Sequence, residues 1–329
     1  MFHKQISKEE LTKVLDKHID VSIILPVYNG ESTLENSINS LLQQTYGNFE
    51  LIICDDGSSD SSLKILNNIA DPRIKIITND KNYGLAYTLN KLISCTSNYS
   101  KYIAMSEQDD YYYPDRIEVQ KYFLDKNKEY GMISGIAEHW NGSKVTMKFP
   151  GLLVNGGKYP KGHEMFKLNY REQLKVVNSC LMLRRSVHFK NKLFWSEGYP
   201  SISVDWDYIL RFSLIANIYG INKVLVRLNR SLINQSLTQN KKLQHHISRE
   251  LIHNFYKEFP SLISKEDYNY AKCTQNYLEL KKKKHFFRLV SVLFIIMKDP
   301  DRYRANEQRK IYFRIILDEL KSRLKSSKI

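Results

Sequence analysis

The sequence predicts an α/β fold with a mostly parallel central sheet flanked by helices, and three observations support this class. Four short apolar runs, at residues 21–25, 49–54, 74–77 and 102–105, have the length of buried strands. Segments with apolar residues at helical spacing lie between them, and alternating strands and helices build parallel βαβ units. Hydrophobic residues make up 42 % of the 329 positions, which is enough for a sizeable core.

Turn and cap signals set the expected element boundaries in this first half. The first strand is expected to stop at Pro26, and helices are predicted over residues 32–44 and 85–94. Ser59 is suited to cap a further helix. Pro114 suits the first turn of the helix that follows the fourth strand, because a proline there loses no helical hydrogen bond.

The second half of the chain is less regular. Strands are predicted over residues 130–136, 177–184 and 224–228, and a helix is predicted over residues 205–216. Glycine and proline between residues 150 and 170 indicate a loop, which is expected to shape a ligand pocket.

A change of composition marks the predicted domain boundary. Beyond residue 239 the pattern becomes helical and rich in lysine, arginine, tyrosine and leucine. We therefore predict an N-terminal helical extension at residues 1–20, an α/β domain at residues 21–239 and a helical C-terminal region at residues 240–329. The last region contains a lysine run at residues 281–284 that precedes an apolar segment.

Charge and cysteine content restrict the class of protein. The net charge of +15 favours anionic partners, namely phosphorylated substrates, anionic lipid or nucleic acid. The four cysteines are scattered and form no C-x-x-C pair, which argues against zinc sites and favours a reducing compartment. Because residues 1–20 lack the apolar stretch of a signal peptide, a cytoplasmic protein is expected.

Three polar clusters follow the ends of predicted strands. Tyr28-Asn29-Gly30 follows the first strand, Asp55-Asp56-Gly57 the second, and Glu107-Gln108-Asp109-Asp110 the fourth. In open parallel sheets, ligands bind beyond the carboxyl ends of the strands. The three clusters are therefore expected to converge on one edge of the sheet and to form a site.

The last cluster has the spacing of a cation site. Glu107 and Asp109 are two residues apart and Asp110 is adjacent, so carboxylates at a strand end can face one hard cation. Mg²⁺ and Mn²⁺ favour such oxygen ligands and often bridge to substrate phosphates. The alternative is a solvated acidic turn, and the position at a strand end favours the cation site.

Three further candidate residues each have a structural alternative. Asp56 is suited to accept a hydrogen bond from a uracil or thymine N–H, or to form a turn before a helix. Tyr28 is placed either to stack on a nucleobase or to pack against the protein. Asp205 is either a general base for an acceptor hydroxyl or a helix cap. Spacing alone leaves these alternatives open.

Several motifs together carry a resemblance to a known family. They are the run from Val21 to Asn29, the Asp55-Asp56-Gly57-Ser58 turn, Asn82-Tyr83-Gly84-Leu85, and Glu107 to Asp110 before Pro114-Asp115-Arg116. In this order and spacing they resemble the family 2 glycosyltransferases of GT-A fold. The resemblance covers residues 20–239 and implies a Rossmann-like domain that transfers a sugar, with inversion, from a nucleotide-diphosphate donor.

The same resemblance implies roles for individual residues. The donor-binding positions it indicates are Pro26, Tyr28, Asn29, Asp56, Asn82, Glu107 and Asp110. It places Asp109 at the ligand of a divalent cation, Mn or Mg, and Asp205 at the catalytic base.

Two positions depart from the family pattern. Val204 stands where a glutamate usually precedes the base, and Ser231 stands where many members carry a histidine. Asp205 still supplies the one carboxylate that a base needs. Because this histidine is missing, Asp109 and the donor diphosphate are the expected ligands of the metal.

The resemblance therefore predicts a metal-dependent inverting glycosyltransferase in cell-surface polysaccharide or glycolipid assembly. The expected donor is of UDP or dTDP type, and the expected acceptor is a glycan or lipid-linked molecule. The alternatives are a non-catalytic sugar-nucleotide-binding or assembly protein, and a nucleotidyltransferase, whose glycine-rich phosphate loop is not found after the first strand.

Two interpretations of the basic C-terminal region stay open. One is a helical appendage with solvated lysines, and the other is peripheral contact with the inner face of the cell membrane, where each basic residue near anionic lipid contributes about 1 kcal/mol. No nucleic-acid partner is expected, because no recognised nucleic-acid module is visible.

Overall fold

The computed structural model describes residues 19–173, 175–231 and 240–280. Residues 1–18 of the predicted N-terminal helical extension lie outside these ranges. The basic and apolar segment beyond residue 280, with its predicted membrane contact, also lies outside them.

The described chain contains nine strands and ten α-helices. The strands are β1 (Val21–Val27), β2 (Phe49–Asp55), β3 (Ile74–Thr78), β4 (Tyr102–Met105), β5 (Tyr111–Tyr112), β6 (Tyr130–Trp140), β7 (Val145–Phe149), β8 (Met182–Arg184) and β9 (Asn217–Asn229). The helices are α1 (Leu34–Leu42), α2 (Ser62–Asn67), α3 (Leu85–Ser94), α4 (Arg116–Lys126), α5 (Gly151–Val154), α6 (His163–Arg171), α7 (Arg185–Lys190), α8 (Val204–Ser213), α9 (Lys241–Glu258) and α10 (Lys265–Leu280).

The described strands form one mixed sheet. Its order is β3-β2-β1-β4-β8-β6-β9-β5, and β7 pairs with β6. The β3-β2-β1-β4 half is parallel, as the alternation of strands and helices predicted. β8 runs antiparallel to both β4 and β6, so β6 and its parallel neighbour β9 run in the direction of β4. The carboxyl ends of β1, β2, β4, β6 and β9 therefore share one edge of the sheet.

Burial explains why the first strands are continuous apolar runs. All residues of β2 and β4 are buried, and β1 is buried everywhere except at Pro26, which is half-buried. Parallel strands covered on both faces need apolar side chains in both directions. Apolar residues of α1, among them Leu34 and Ile38, join the core formed by β1 and β2.

Two predictions in the first half are wrong in detail. β1 continues through Pro26 to Val27, because a proline lacks only the N–H and its carbonyl remains free to pair. Ser59 does not cap a helix. Helix α2 begins at Ser62, and the Ser59 amide instead donates to the side chain of Asn29.

The second half holds larger differences. The predicted loop at residues 150–170 contains α5 and most of α6. The predicted strand at residues 177–184 is a 3₁₀ turn, Asn178–Cys180, followed by the short strand β8. β9 is longer than predicted and reaches back to Asn217, where its residues are only partly apolar.

The chain divides into two compact units. Among described residues, one holds 19–165 with 175–231, and the other holds 166–173 with 240–280. In the second unit α9 and α10 pair antiparallel, with Tyr256 stacked on Tyr268 at 4.3 Å between ring centroids. The assignment of residues 21–239 and 240–329 to two functional regions stays a prediction.

No described helix combines the length and the apolar character that a membrane crossing needs.

Candidate functional site

Three loops meet at the edge formed by the carboxyl ends of β1, β2 and β4. These strands are adjacent and parallel, with Val27 of β1 opposite Asp55 of β2 and Ile24 opposite Met105 of β4. The polar clusters that follow them therefore lie side by side. The predicted convergence of the three clusters is confirmed.

The side chain of Gln108 joins the first loop to the third. The Tyr28 amide donates to Gln108 Oε1 at 2.8 Å, and Gln108 Nε2 donates to the Tyr28 carbonyl at 2.9 Å. Gly30 makes room for this contact, since a Cβ there would lie 2.7 Å from the Gln108 amide. Tyr28 itself is 44 % exposed, so its ring remains accessible to a ligand.

Asn29 joins the first loop to the second. Its backbone amide donates to Ser58 Oγ at 2.9 Å, and its Oδ1 accepts from the Ser59 amide at 2.8 Å. The residue has a φ of 49°, in the left-handed region that asparagine tolerates better than most residues. The structure thus places the Asn29 side chain in loop packing, and Pro26 within β1 opposite Cys54.

Asp56 lies at the centre of a hydrogen-bonded cradle. Its carboxylate is 4 % exposed and accepts from Asn79 Nδ2 at 2.6 Å and from the Tyr83 and Gly84 amides at 3.0 and 2.9 Å. Asn82 Oδ1 also accepts from the Gly84 amide, at 2.8 Å. Asp56 and Asn82 are therefore brought together around Gly84.

Gly57 follows Asp56 and has a backbone conformation that the hydrogen-bonded cradle around Asp56 depends on. Its φ is +69°, and a Cβ would lie 2.5 Å from the backbone of Lys81. We expect Gly57→Ala to lower the free energy of unfolding by about 2–3 kcal/mol, measured by urea denaturation. Gly47→Ala is the matched control, because a Cβ added there would meet no atom within 4 Å. Equal effects at both glycines would contradict this account.

The acidic cluster gathers three carboxylates. Oxygen atoms of Glu107, Asp109 and Asp110 all lie within 4.8 Å of one another. Glu107 Oε1 accepts from Asn178 Nδ2 at 3.0 Å, and Asp110 Oδ2 accepts from Ser179 Oγ at 2.6 Å. The 3₁₀ turn before β8 therefore positions two of the three acids.

The electrostatics of this cluster favour a bound cation. Burial raises the pKa of Glu107 and raises that of Asp110 well above its ordinary value, and the neighbouring charge of Asp109 adds to both shifts. The positive charge of Arg230 lowers both pKa values again. A divalent cation would relieve the same repulsion.

The polar surroundings also fit a metal or a polar ligand. The Oδ1 atom of Asn178 is buried and has no hydrogen-bond partner among the described residues. Such an atom is costly unless a ligand or water satisfies it. The oxygen donors of Glu107, Asp109 and Asp110 are the kind that Mg²⁺ and Mn²⁺ prefer.

Asp205 lies at the start of α8, close enough to the cluster for its charge to act on Glu107. It is half-buried at the first turn of the helix, and its Oδ1 accepts from the Trp206 amide at 2.9 Å. Burial raises the pKa of Asp205, while the backbone N–H groups at the helix start lower it. Its negative charge contributes to the raised pKa of Glu107, so the two carboxylates lie in the same electrostatic environment.

Sequence reasoning missed Gln108, Asn79 and Arg230 as working parts of the site. Arg230 follows the carboxyl end of β9, so the rule that ligands bind at strand ends could have found it. The same rule applies to Asn79, which follows the end of β3, and Gln108 lies within the cluster after β4. Their hydrogen-bond partners depend on which loops become neighbours in space.

Comparison with known proteins assigns the family. Residues 22–189, just over half of the chain, match the family described as Glycosyl transferase family 2. The chain is a family 2 glycosyltransferase. EpsE of Bacillus subtilis is 35 % identical over 190 residues, which span 54 % of this chain and 68 % of EpsE.

Other relatives of this glycosyltransferase are similar over longer stretches. The Escherichia coli protein WfgD is named a UDP-Glc:alpha-D-GlcNAc-diphosphoundecaprenol beta-1,3-glucosyltransferase. It is 30 % identical over 223 residues, which span 67 % of this chain and 80 % of WfgD.

Solved structures show the fold. The structure of Staphylococcus aureus TarS residues 1–349 in complex with UDP-GlcNAc has a TM-score of 0.61, covering 92 % of this chain and 80 % of that one. The sequence identity is 13 %, so the likeness concerns the fold alone. The predictions of a GT-A fold and of a glycosyltransferase are confirmed.

Proposed function

We propose that this glycosyltransferase moves a sugar from a nucleotide-diphosphate donor to an acceptor hydroxyl with inversion, using a divalent cation. The observation that carries the proposal is the gathering of three carboxylates beyond the end of β4, where the charge of Asp205 also acts on Glu107. A cation at Asp109 would neutralise charge on the diphosphate as the donor bond breaks. Glu107 and Asp110 would complete its surroundings.

The geometry around Asp56 supports a UDP or dTDP donor. A carboxylate offers about four acceptor positions, and three N–H groups already bind this one. One position on Oδ2 is left for an N–H from a uracil or thymine ring. The exposed ring of Tyr28 is available to stack on that base. The UDP-GlcNAc complex of TarS supports a donor of this class.

Asp205 is the proposed general base. Its raised pKa makes it a better proton acceptor than an ordinary carboxylate, which suits removal of a proton from a sugar hydroxyl. The Trp206 amide orients the carboxylate. Removal of the hydroxyl proton lets the acceptor oxygen attack the anomeric carbon opposite the leaving diphosphate, which inverts the configuration.

The acceptor is proposed to be a glycan or a lipid-linked sugar. WfgD, by its name, acts on a sugar carried by diphosphoundecaprenol, which supports a role in polysaccharide or glycolipid assembly. Such an acceptor would place the protein at the cytoplasmic face of a membrane. Contact with that membrane is proposed for the basic region beyond residue 280.

A donor screen tests this function. We expect UDP or dTDP sugars to raise the melting temperature of the protein, with a larger rise when Mn²⁺ is present. Even without acceptor, slow Mn²⁺-dependent release of the nucleoside diphosphate is expected, measured by a coupled assay. ADP-, GDP- and CMP-sugars serve as controls for base selectivity.

The same screen separates the catalytic from the binding-only alternative. The replacements at Val204 and Ser231 favour the non-catalytic interpretation. Donor binding with no nucleotide release, at any metal concentration and with a panel of sugar acceptors, would support that alternative and contradict the proposed transfer.

A further inference from the structure

A polar cavity lies at the opposite edge of the sheet from the acidic cluster. It has a volume of about 400 Å³, and its lining includes Lys101, Lys128, Arg184, Arg185 and Asp125. Tyr102, the first residue of β4, also lines it, whereas Glu107 follows the last residues of that strand. The intervening strand is roughly 13 Å long. The cavity is therefore separate from the candidate active site.

The negative charges near this cavity are already balanced. Asp125 Oδ2 pairs with Lys121 at 2.7 Å, and the Tyr102 hydroxyl donates to Asp125 Oδ1 at the same distance. Lys101 pairs with Asp20 at 2.8 Å. The charge of Lys128 also acts on Asp125, and that of Glu50 acts on Arg185. Basic side chains nevertheless outnumber these acids around the cavity.

The two arginines bind only neutral oxygens among the described residues. Arg184 donates to the carbonyls of Tyr130, Leu124 and Asn127 and to the Tyr102 hydroxyl. This set holds its guanidinium at the end of α4 and over the Tyr102 ring, with no carboxylate among the described hydrogen-bond partners.

Arg185 is the arginine with donors to spare. Its Nε donates to Thr96 Oγ1 at 3.2 Å and its Nη2 to Asn98 Oδ1 at 2.8 Å. A guanidinium has five N–H groups, so its Nη1 donors remain available among the described contacts. Lys128 is exposed, and its positive charge helps to lower the pKa of Asp125 without an ion pair among the described residues.

Three neighbouring cations that form no close ion pair among the described residues attract an oxyanion. Their mutual repulsion costs free energy that a bound anion removes, and arginine with lysine is the usual combination around phosphate. We propose that this cavity binds the phosphate group of a soluble ligand, held by Arg185, Lys128 and Arg184. Inorganic phosphate is the simplest probe of this site.

The test is a phosphate titration of the full chain at constant ionic strength, without divalent metal. We expect a saturable rise in melting temperature, with the dissociation constant measured by calorimetry. Lys128→Gln is expected to weaken phosphate binding at least fivefold, and Arg185→Gln at least tenfold. Lys128→Gln is the decisive variant, because an exposed lysine that makes no hydrogen bond or close ion pair among the described residues is not needed for folding.

Two controls identify the site that phosphate occupies. Lys64→Gln removes another exposed lysine, from α2, and should leave phosphate affinity within twofold. Arg230→Gln alters the acidic-cluster edge and should also leave it within twofold. Equal losses in Lys128→Gln and Lys64→Gln, or a loss seen only in Arg230→Gln, would overturn the proposal.

Vesicles distinguish a soluble phosphate from a lipid headgroup. Phosphatidylglycerol and phosphatidylcholine vesicles are compared in a flotation assay. Binding to phosphatidylglycerol that falls in Lys128→Gln, with no saturable effect of inorganic phosphate, would assign the three cations to a bilayer and refute the cavity site. Saturable phosphate binding that Lys128→Gln weakens, with unchanged flotation, supports it.

Discussion

Asp205→Asn is expected to lower the transfer rate by about 10³-fold or more and to leave donor affinity nearly unchanged. Asparagine keeps the size of the side chain and its acceptor for the Trp206 amide, but it cannot take a proton. Steady-state transfer and donor binding by calorimetry are the two measurements. Loss of donor binding instead would show that Asp205 has a structural role.

The pH dependence gives this prediction a second readout. As the pH is lowered, the base becomes protonated and the wild-type rate should fall. Because burial raises the pKa of Asp205, this fall should begin at a higher pH than an ordinary aspartate would give. The residual activity of Asp205→Asn should lack this acid limb.

Asp207 supplies the matched control in the same helix. It is fully buried and pairs with Arg211 at 3.1 Å. Asp207→Asn should therefore lower the melting temperature, because a buried ion pair loses one charge. The folded Asp207→Asn protein should still show the fall in transfer rate at low pH, because it retains Asp205. A rate loss in Asp207→Asn equal to that in Asp205→Asn would contradict the assignment of the base.

Asp109→Asn is expected to abolish the Mn²⁺-dependent part of donor binding and to reduce transfer by about 10³-fold. The cluster would lose one of the carboxylates that are proposed to hold the cation, and Ser231 offers no imidazole to compensate. Mn²⁺ affinity by electron paramagnetic resonance and donor affinity with and without metal are the measurements.

Asp115→Asn is the control for this variant. Asp115 lies six residues further along, next to α4, and pairs with Lys223 on the surface. Its loss should leave Mn²⁺ affinity unchanged. If Asp109→Asn retains Mn²⁺-dependent donor binding, the metal is held elsewhere and the proposed assignment is wrong.

Much of the N-terminal half could be predicted from the sequence because its signals are local. Each of β1, β2 and β4 is a short apolar run, and a parallel strand buried on both faces requires that composition. The clusters at Tyr28, Asp56 and Glu107 follow these runs directly. Their convergence then follows from strand direction alone.

The secondary structure of the second half was predicted less well, because its elements depend on contacts with residues that are distant in the chain. Residues 177–184 are apolar enough for a strand, yet Asn178 and Ser179 turn to bind Glu107 and Asp110. Contacts across some 70 residues of chain decide that turn. Residues 150–170 carry glycines and prolines that indicate a loop, but Leu153 is buried and stabilises a short helix.

The sequence by itself determined the fold class, the family resemblance and the chemical character of the site, since apolar periodicity and motif spacing are properties of neighbouring residues. Only the tertiary structure decided how the site is held together. Gln108 binds the backbone of Tyr28, 80 residues away, and Arg230 comes close enough to shift the pKa of Glu107. Such contacts depend on which strands become neighbours, and hydrogen bonds and charges act through space and not along the chain.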